Sequence, residues 1–143
     1  MHFIQVTTKE QLQEAFKIRF TVFVDEQGVD AAHELDDFDS LGSTAIHLIL
    51  VDNEKTIGAA RLRFINDCAK MERICVLAEY RKGGVGRLIM TGLENIARDK
   101  QMTFAKLHGQ TQAEGFYNKL GYEKSSDIFF EEGIPHIEMK KTL

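Results

Sequence analysis

The first half of the chain alternates short apolar runs with polar gaps, a pattern that predicts β-strands. Phe3–Val6 predicts a first strand. The segments AIHLILV (residues 45–51) and TIGAARLRF (56–64) are rich in aliphatic and β-branched residues, and the polar letters DNEK between them predict a hairpin. KMERICV, residues 70–76, continues the same sheet.

Helical spacing appears in three other places. Thr8, followed three residues later by Gln11, forms a capping-box pattern, so a helix is expected to begin there. A second helix, from about Gly84 to Lys100, is predicted by an apolar stripe. TQAEGFYNKLGYE, residues 111–123, predicts a third helix ended by Gly121, because glycine readily adopts the left-handed conformation of a C-cap. The second helix's stripe consists of Val85, Leu88, Ile89, Leu93, Ile96 and Ala97.

The order of these elements predicts the fold class. TFAKLHG, residues 103–109, adds a strand before the last helix, and two closing strands flank the turn EEGIPH, residues 131–136. The resulting order β, α, β, β, β, α, β, α, β, β predicts an α/β fold with a mixed sheet. With 143 residues, 43% of them hydrophobic, and a single proline, the chain is expected to form one domain, residues 1–143, with its own core.

Charge and cysteine content exclude several classes of protein. A net charge of −4 at pH 7 and an isoelectric point near 5.7 argue against a general nucleic-acid binder. The N-terminus lacks a signal-peptide pattern, and no run approaches the roughly 18 to 20 apolar residues that span a bilayer. Cys68 and Cys75 have neither metal-ligand nor disulfide spacing, so free thiols in a reducing, cytoplasmic setting are expected.

The segment from Phe20 to Glu54 contains no Lys or Arg but nine acidic residues. It is either a cation-attracting wall beside Arg81 or a solvated acidic loop. His33 lies within it, but DDFDSLG lacks the spacing of a calcium loop, so no metal site is expected. His47 is expected to be a structural histidine, and His108 and His136 carry no local signal. The nine acidic residues are Asp25, Glu26, Asp30, Glu34, Asp36, Asp37, Asp39, Asp52 and Glu54.

Three glycines, Gly83, Gly84 and Gly86, lie where a predicted strand gives way to a predicted helix. The backbone there can approach a ligand closely, and the first amides of the helix lack acceptors and favour an anion. Fixed positive charge surrounds the turn, so a pyrophosphate would fit. This charge is carried by Arg81, Lys82 and Arg87.

Two better-known phosphate motifs do not match this turn. A P-loop needs Gly-Lys-Ser/Thr after four intervening residues, and a dinucleotide fingerprint needs glycine where Ile89 stands. The remaining pattern, Arg-x-x-Gly-x-Gly from Arg81 to Gly86, arises by chance in roughly one chain in ten. Alone, it is equally consistent with a plain structural turn.

A second block, QTQAEGFYNKLGYE from Gln110 to Glu123, gives the turn a context. Together the two blocks resemble the GNAT superfamily of acyl-CoA-dependent N-acetyltransferases, and the resemblance extends over residues 3–141. The later family motif is usually Asn-x-x-Ala-x-x-Phe-Tyr-x-Lys-x-Gly-Phe, from which this chain departs at Gln110 and Tyr122. The resemblance implies a mixed, mostly antiparallel central sheet flanked by helices.

The resemblance also implies a cosubstrate and its contacts. Acetyl-CoA is the expected acyl donor, with no metal, and the family's turn binds the CoA pyrophosphate through backbone amides after a strand that ends in alternate aliphatic residues. Related small domains often dimerise, so the resemblance points to a homodimer. The residues implied to bind CoA are Ile74, Val76, Arg81, Lys82, Gly83, Gly84, Val85, Gly86, Arg87 and Gln110.

The chemistry implied is attack by a neutral amine on a thioester. A lysine-like amine with a pKa of about 10.4 is neutral in only about one molecule in 2,500 at pH 7, a cost of roughly 4.6 kcal/mol, so a base is useful. On an extended strand Glu72 would share a face with Ile74 and Val76, close to the pantetheine, which makes it the candidate general base. The alternative for Glu72 is a salt bridge with Arg63 or Arg73.

The aromatic pair of the second block receives two different interpretations. Tyr117 occupies the position where the family commonly places a general acid, which would protonate the departing CoA thiolate; the alternative is a packed aromatic. Phe116, by contrast, is expected to be a core residue.

These observations predict an N-acetyltransferase that moves an acetyl group from acetyl-CoA to a primary amine. A small-molecule acceptor is favoured, because the acidic segment Asp25–Asp39 could attract a cation. Two alternatives stay open: acetylation of a peptide or protein amine, and a non-catalytic module that binds or senses acyl-CoA.

Overall fold

The computed structural model describes residues 1–143 and joins eight strands into one sheet. The strands are β1 (His2–Gln5), β2 (Ile46–Asp52), β3 (Lys55–Ile65), β4 (Cys68–Val76), β5 (Phe104–Gln110), β6 (Glu123–Lys124), β7 (Phe129–Glu131) and β8 (Ile134–Thr142). The helices are α1 (Lys9–Arg19), α2 (Ala31–Glu34), α3 (Val85–Asp99) and α4 (Glu114–Lys119).

The sheet is mixed and mostly antiparallel, which confirms the fold expected from the sequence. Its strand order is β1-β2-β3-β4-β5-β8-β6, and β7 also pairs with β8. Only β4 and β5 run parallel; every other neighbouring pair is antiparallel. No helix of the chain combines the length and the apolar character that crossing a lipid bilayer requires.

Helix α1 begins at the capping box that the sequence predicts. The Thr8 hydroxyl accepts a hydrogen bond from the amide of Gln11 at 3.1 Å, and the Gln11 side chain accepts one from the amide of Thr8 at 3.2 Å. The helix then continues as a π-helical segment, Phe20–Glu26, before the short α2. The sequence predicts a loop here, because the dense acidic residues obscure any helical stripe.

Two apolar layers cover the sheet. Helix α3 packs on one face, called here the α3 face, where its residues Ile89 and Leu93 are almost wholly buried against Leu62 and Met71 of the sheet. Helix α1 packs on the opposite face, the α1 face, against residues that include Cys75. A functional site therefore has to open at an edge or at a break in the sheet.

Such a break lies between the two parallel strands. β4 and β5 pair only from Cys68 with Phe104 to Met71 with Leu107. Beyond these residues the strands no longer pair, so their carboxyl ends form an open gap with unpaired backbone. Ligands of open α/β sheets commonly bind outside the carboxyl ends of parallel strands, and this gap lies in such a position.

Candidate active site

The gap between β4 and β5 opens into a cavity of about 720 Å³. Lys82 and Arg87 of the glycine turn do not line it, and neither do Gly83, Gly84 and Val85. The predicted site residues that do line it are Glu72, Ile74, Val76, Arg81, Gly86, Gln110 and Tyr117.

The glycine turn ends in an uncapped helix start. Gly83 and Gly84 have φ of +80° and +82°, and Gly84 is the N-cap of α3 with no side-chain hydrogen bond to the helix. The first amides of α3 therefore have no acceptor within the helix. A Cβ built on Gly83 or Gly84 would meet no atom within 4 Å, so the space beside the turn is open. This arrangement fits a phosphate group.

Three hydrogen bonds that the sequence does not predict hold the side chain of Arg81. Its Nε donates to the carbonyl of Val76 at 2.9 Å, and its two terminal nitrogens donate to the carboxylate of Glu26 at 2.6 and 2.7 Å. These hydrogen bonds raise the pKa of Arg81 and lower the pKa of Glu26. Lys82 and Arg87, which are exposed, form no ion pair and are the turn's uncommitted cations.

Glu72 does not share a face with Ile74 and Val76, so that expectation was wrong. Arg73 has φ of +54°, and Arg73 and Ile74 together lie opposite the single residue Ala60 of β3, which is a β-bulge. The extra residue inverts the alternation of side chains along β4. Ile74 and Val76 consequently pack on the α3 face, whereas Glu72 lies on the α1 face.

The carboxylate of Glu72 forms three ion pairs on that face. They join it to Arg61 at 2.9 Å, to Lys70 at 3.1 Å and to Arg63 at 3.2 Å. Burial acts to raise the pKa of Glu72, but Arg61 and Lys70 outweigh it, so the pKa lies below the ordinary value. The expected salt bridge with Arg63 is therefore present, while Arg73 bonds to Glu34 instead, at 3.1 Å.

For its central residues Glu34 and Asp39, the acidic segment is neither a cation-attracting wall nor a solvated loop. Asp25, Asp30 and Asp37 are exposed, as the interpretation of a solvated segment expects. Asp39 binds Arg19 at 2.7 Å and Arg61 at 3.1 Å, and Glu34 binds Arg19 at 2.9 Å. The side chains of Arg19 and Asp39 are each 1% exposed. The signal that could have found this network is Arg19 itself, because a charge on the apolar face of a helix requires a buried partner.

Replacing Asp39 with alanine should destabilise the protein by about 3–5 kcal/mol, because two buried guanidinium groups lose a partner. Denaturant unfolding measures this effect. The Asp37→Ala variant is the matched control, since Asp37 is exposed and forms no ion pair, and it should change stability by less than about 0.5 kcal/mol. Equal stabilities of the two variants would show that the network does not stabilise the fold.

The same carboxylate links stability to pH. Burial acts to raise the pKa of Asp39, but Arg19 outweighs it and holds the pKa well below the usual range. Its stabilising contribution is present above the ordinary carboxyl pKa and is lost as the pH falls through the lowered pKa of the folded state.

Tyr117 is held in the core with its hydroxyl at the cavity. The residue is 9% exposed, and burial raises the pKa of its phenol to about 12, so the phenol stays protonated. The hydroxyl has no hydrogen-bond partner in the chain. Every buried side-chain oxygen and nitrogen has a partner, so the oxygen of this hydroxyl is not fully buried. The hydroxyl must therefore reach solvent-accessible space, which here is the cavity. The ring packs closely on Gly109, where a Cβ would lie 3.2 Å from it.

Phe116 is not a core residue, so this expectation was wrong. It is 39% exposed and lines the cavity. Its ring lies over Gly86, where a Cβ would come within 3.0 Å of it. The aromatic residue thus joins α4 to the glycine turn, because only glycine leaves room for the ring there.

Gln110 lies at the end of β5 and lines the cavity. Its side-chain amide donates to Gln27 at 2.8 Å and accepts from Gln112 at 2.6 Å. His33 of α2, which also lines the cavity, bonds to Glu132 of the β7–β8 turn at 3.1 Å. These contacts join segments that are distant in sequence, and no local sequence motif predicts them.

Comparisons with known proteins agree with this geometry. A family model described as an acetyltransferase (GNAT) domain matches residues 7–143. The chain is 48% identical to the uncharacterized protein YyaT of Bacillus subtilis (strain 168) over 143 residues, 100% of this chain and 97% of that one. YjcF of the same strain, an uncharacterized N-acetyltransferase, is 44% identical over 134 residues, 93% of this chain and 94% of that one.

A solved structure resembles the whole chain. It is the crystal structure of a Lactobacillus plantarum protein provisionally named an N-acetyltransferase, with a TM-score of 0.89 and 27% identity. The match covers 99% of this chain and 97% of that one.

Proposed function

Because the chain belongs to the GNAT acetyltransferase family and is an acyl-CoA-dependent N-acyltransferase, we propose that it moves an acetyl group from acetyl-CoA to the primary amine of a small molecule. One observation carries the proposal. The unpaired ends of β4 and β5 lie between an uncapped helix start, suited to a pyrophosphate, and a buried tyrosine whose hydroxyl faces the cavity.

The donor would lie on the α3 face of the gap. The amides at the start of α3 would bind the pyrophosphate, with Lys82 and Arg87 adding positive charge. Ile74 and Val76, whose side chains lie on this face, would contact the pantetheine while the unpaired backbone of β4 offers it hydrogen bonds. Gln110, from β5, borders the same gap and is proposed to contact it from the other strand.

The arginine of the turn would have to change partner to reach the donor. Arg81 is held by Glu26, a surface pair that water screens strongly. A pyrophosphate carries more negative charge than one carboxylate, so it competes well for the guanidinium. Glu26 would then act as the counterion of Arg81 when no donor is bound.

Tyr117 is proposed to act on the leaving group. Its protonated hydroxyl faces the cavity and has no competing partner in the chain. It can therefore donate to the sulfur as the carbon–sulfur bond breaks and protonate the thiolate. Glu72, the base predicted from the sequence, also lines the cavity, but its three ion pairs weigh against a free proton-accepting role.

The shape of the acceptor side supports a small molecule. The acidic segment no longer supports a cationic acceptor, since its central residues neutralise buried arginines. The cavity that the acceptor would share with the acetyl end of the donor has a volume of about 720 Å³, within the usual range for small-molecule sites. His33 and Glu132, which bond to each other, both line this cavity and are partly exposed to solvent.

The test is a panel of amines incubated with acetyl-CoA while thiol release is followed. The panel contains small mono- and polyamines, amino acids, aminosugars and short peptides. Turnover with at least one small amine, and none with peptides, is the expected result. Turnover with peptides alone would make the acceptor a protein or peptide. If none of the amines in the panel leads to thiol release, a sensing module would be favoured.

The cellular setting and assembly are also proposed. Both cysteines are free and buried, and burial raises the pKa of the Cys75 thiol to about 12, which suits a reducing, cytoplasmic compartment. The homodimer stays a prediction, which light scattering of the purified protein tests.

A further inference from the structure

We propose that His136 is the general base of this site and that its Nε2 takes the proton from the attacking amine. This inference rests on the proposed function and adds a residue for which the sequence holds no local signal. It is carried by the hydrogen bonding, the exposure and the position of the imidazole.

The tautomer of His136 is fixed by the backbone. Its Nδ1 lies 2.7 Å from the carbonyl oxygen of Ile134. A carbonyl oxygen can only accept, so Nδ1 must carry the hydrogen. In the neutral ring Nε2 then holds a lone pair, which is the form that a proton acceptor needs.

That lone pair faces the cavity. Nε2 has no hydrogen-bond partner in the chain. Every buried side-chain nitrogen has a partner, so Nε2 must touch solvent-accessible space. The residue is only 9% exposed and lines the cavity, so this space is the cavity itself. The ring stacks on Phe129 with centroids 6.2 Å apart, which holds its orientation.

His136 lies on the acceptor side of the gap. On β8, Ile137 and Met139 pack into the core of the α3 face, so the alternate residue His136 lies on the α1 face. It is opposite Gln110, at the open end of β5. With the thioester of acetyl-CoA in the gap, the rest of the donor would lie on the α3 face and His136 on the α1 face.

The other bases that β4 and β5 place in this region are already engaged. His108, on the same face of β5, lies 2.6 Å from Glu131 through Nδ1 and 3.5 Å from Glu138 through Nε2. β5 and β8 also place Lys106 and Lys140 on this face, further along the strands from His136. Glu72, from β4, is bound by three cations. His33 also lines the cavity with its Nδ1 on Glu132 and its Nε2 free, but its side chain is 57% exposed. His136 combines a fixed tautomer and a free ring nitrogen with burial, at 9% exposure.

The proposed step balances as follows. The neutral amine nitrogen attacks the thioester carbon, a carbon–nitrogen bond forms, and collapse of the intermediate breaks the carbon–sulfur bond. His136 Nε2 accepts the proton that the nitrogen loses, and Tyr117 gives its proton to the thiolate. The imidazolium then releases a proton to water and the tyrosinate takes one from water, which restores both groups.

The test compares His136→Gln with His108→Gln on the best amine found. Glutamine can still donate to the Ile134 carbonyl, so the fold should persist. We expect His136→Gln to lower turnover by ~10² to 10⁴, to leave acetyl-CoA affinity unchanged within about threefold, and to remove the acidic limb of the pH–rate profile. Added imidazole should restore part of the activity of His136→Ala. The matched control His108→Gln should keep the acidic limb.

Other outcomes overturn the inference. An acidic limb that survives in His136→Gln but disappears in Glu72→Gln would make Glu72 the base. Nitrogen NMR of the unsubstituted protein that shows the Nε2–H tautomer of His136 would also overturn the inference, without any measurement of activity. An unsubstituted protein that acetylates no amine overturns the proposed function first, whereas an active protein with an unaffected His136→Gln variant overturns only this inference.

Discussion

Aspartate at Gly84 is expected to abolish acetyl-CoA binding while the protein stays folded. The carboxylate would enter the open space beside the turn and repel the pyrophosphate from the first amides of α3. We expect affinity to fall at least ~100-fold, or about 2.7 kcal/mol, by calorimetry. Gly86→Asp should act similarly, but its Cβ would press on Phe116 at 3.0 Å, so Gly84 is the cleaner position.

The matched control is Gly84→Asn. Gly84 has φ of +82°, and asparagine and aspartate both tolerate this left-handed region better than other residues, so the two variants share shape and strain and differ in charge. Asparagine should keep most of the affinity. Affinity of the unsubstituted protein should also fall with added salt. If both variants bind equally well, the turn does not hold the phosphates.

The second large effect is expected for Tyr117→Phe, which should lower turnover by ~10² to 10⁴ with acetyl-CoA affinity kept within a few-fold. The phenol donates no hydrogen bond within the chain, so its removal leaves no buried group unpaired. Phenylalanine keeps the ring that packs on Gly109. Steady-state kinetics on the best amine, with thermal unfolding of the same variant, measure the effect.

Tyr122→Phe is the control for that experiment. Its hydroxyl donates to Glu94 at 2.9 Å inside the core and does not reach the cavity, so its loss should lower stability and leave turnover nearly unchanged. Full turnover in Tyr117→Phe would exclude the general-acid role and leave water or another residue to protonate the thiolate.

The features predicted correctly are those that depend on local backbone chemistry. Thr8 and Gln11 cap α1 through contacts within four residues, and the apolar stripe of α3 follows from helical spacing, apart from Leu88, which is exposed. The glycine turn is also local, because positive φ at Gly83 and Gly84 depends on the absence of a Cβ. Such features do not require knowledge of what packs beside them.

The features that were missed depend on contacts between distant segments. The bulge at Arg73 shifts Glu72 to the other face, and strand alternation cannot foresee a single extra residue. Arg19 and Asp39 meet across 20 positions of sequence. His136 becomes distinctive only when its tautomer is fixed by the Ile134 carbonyl and its other nitrogen is found at the cavity.

The most direct test of the account is a crystal structure of this protein with acetyl-CoA bound. The account predicts pyrophosphate oxygens within hydrogen-bond distance of the amides at the start of α3 and the thioester in the gap between β4 and β5. The sulfur should lie beside the Tyr117 hydroxyl, with His136 on the opposite side of the carbonyl carbon. Acetyl-CoA bound elsewhere, with the gap and the glycine turn free of it, would contradict the account.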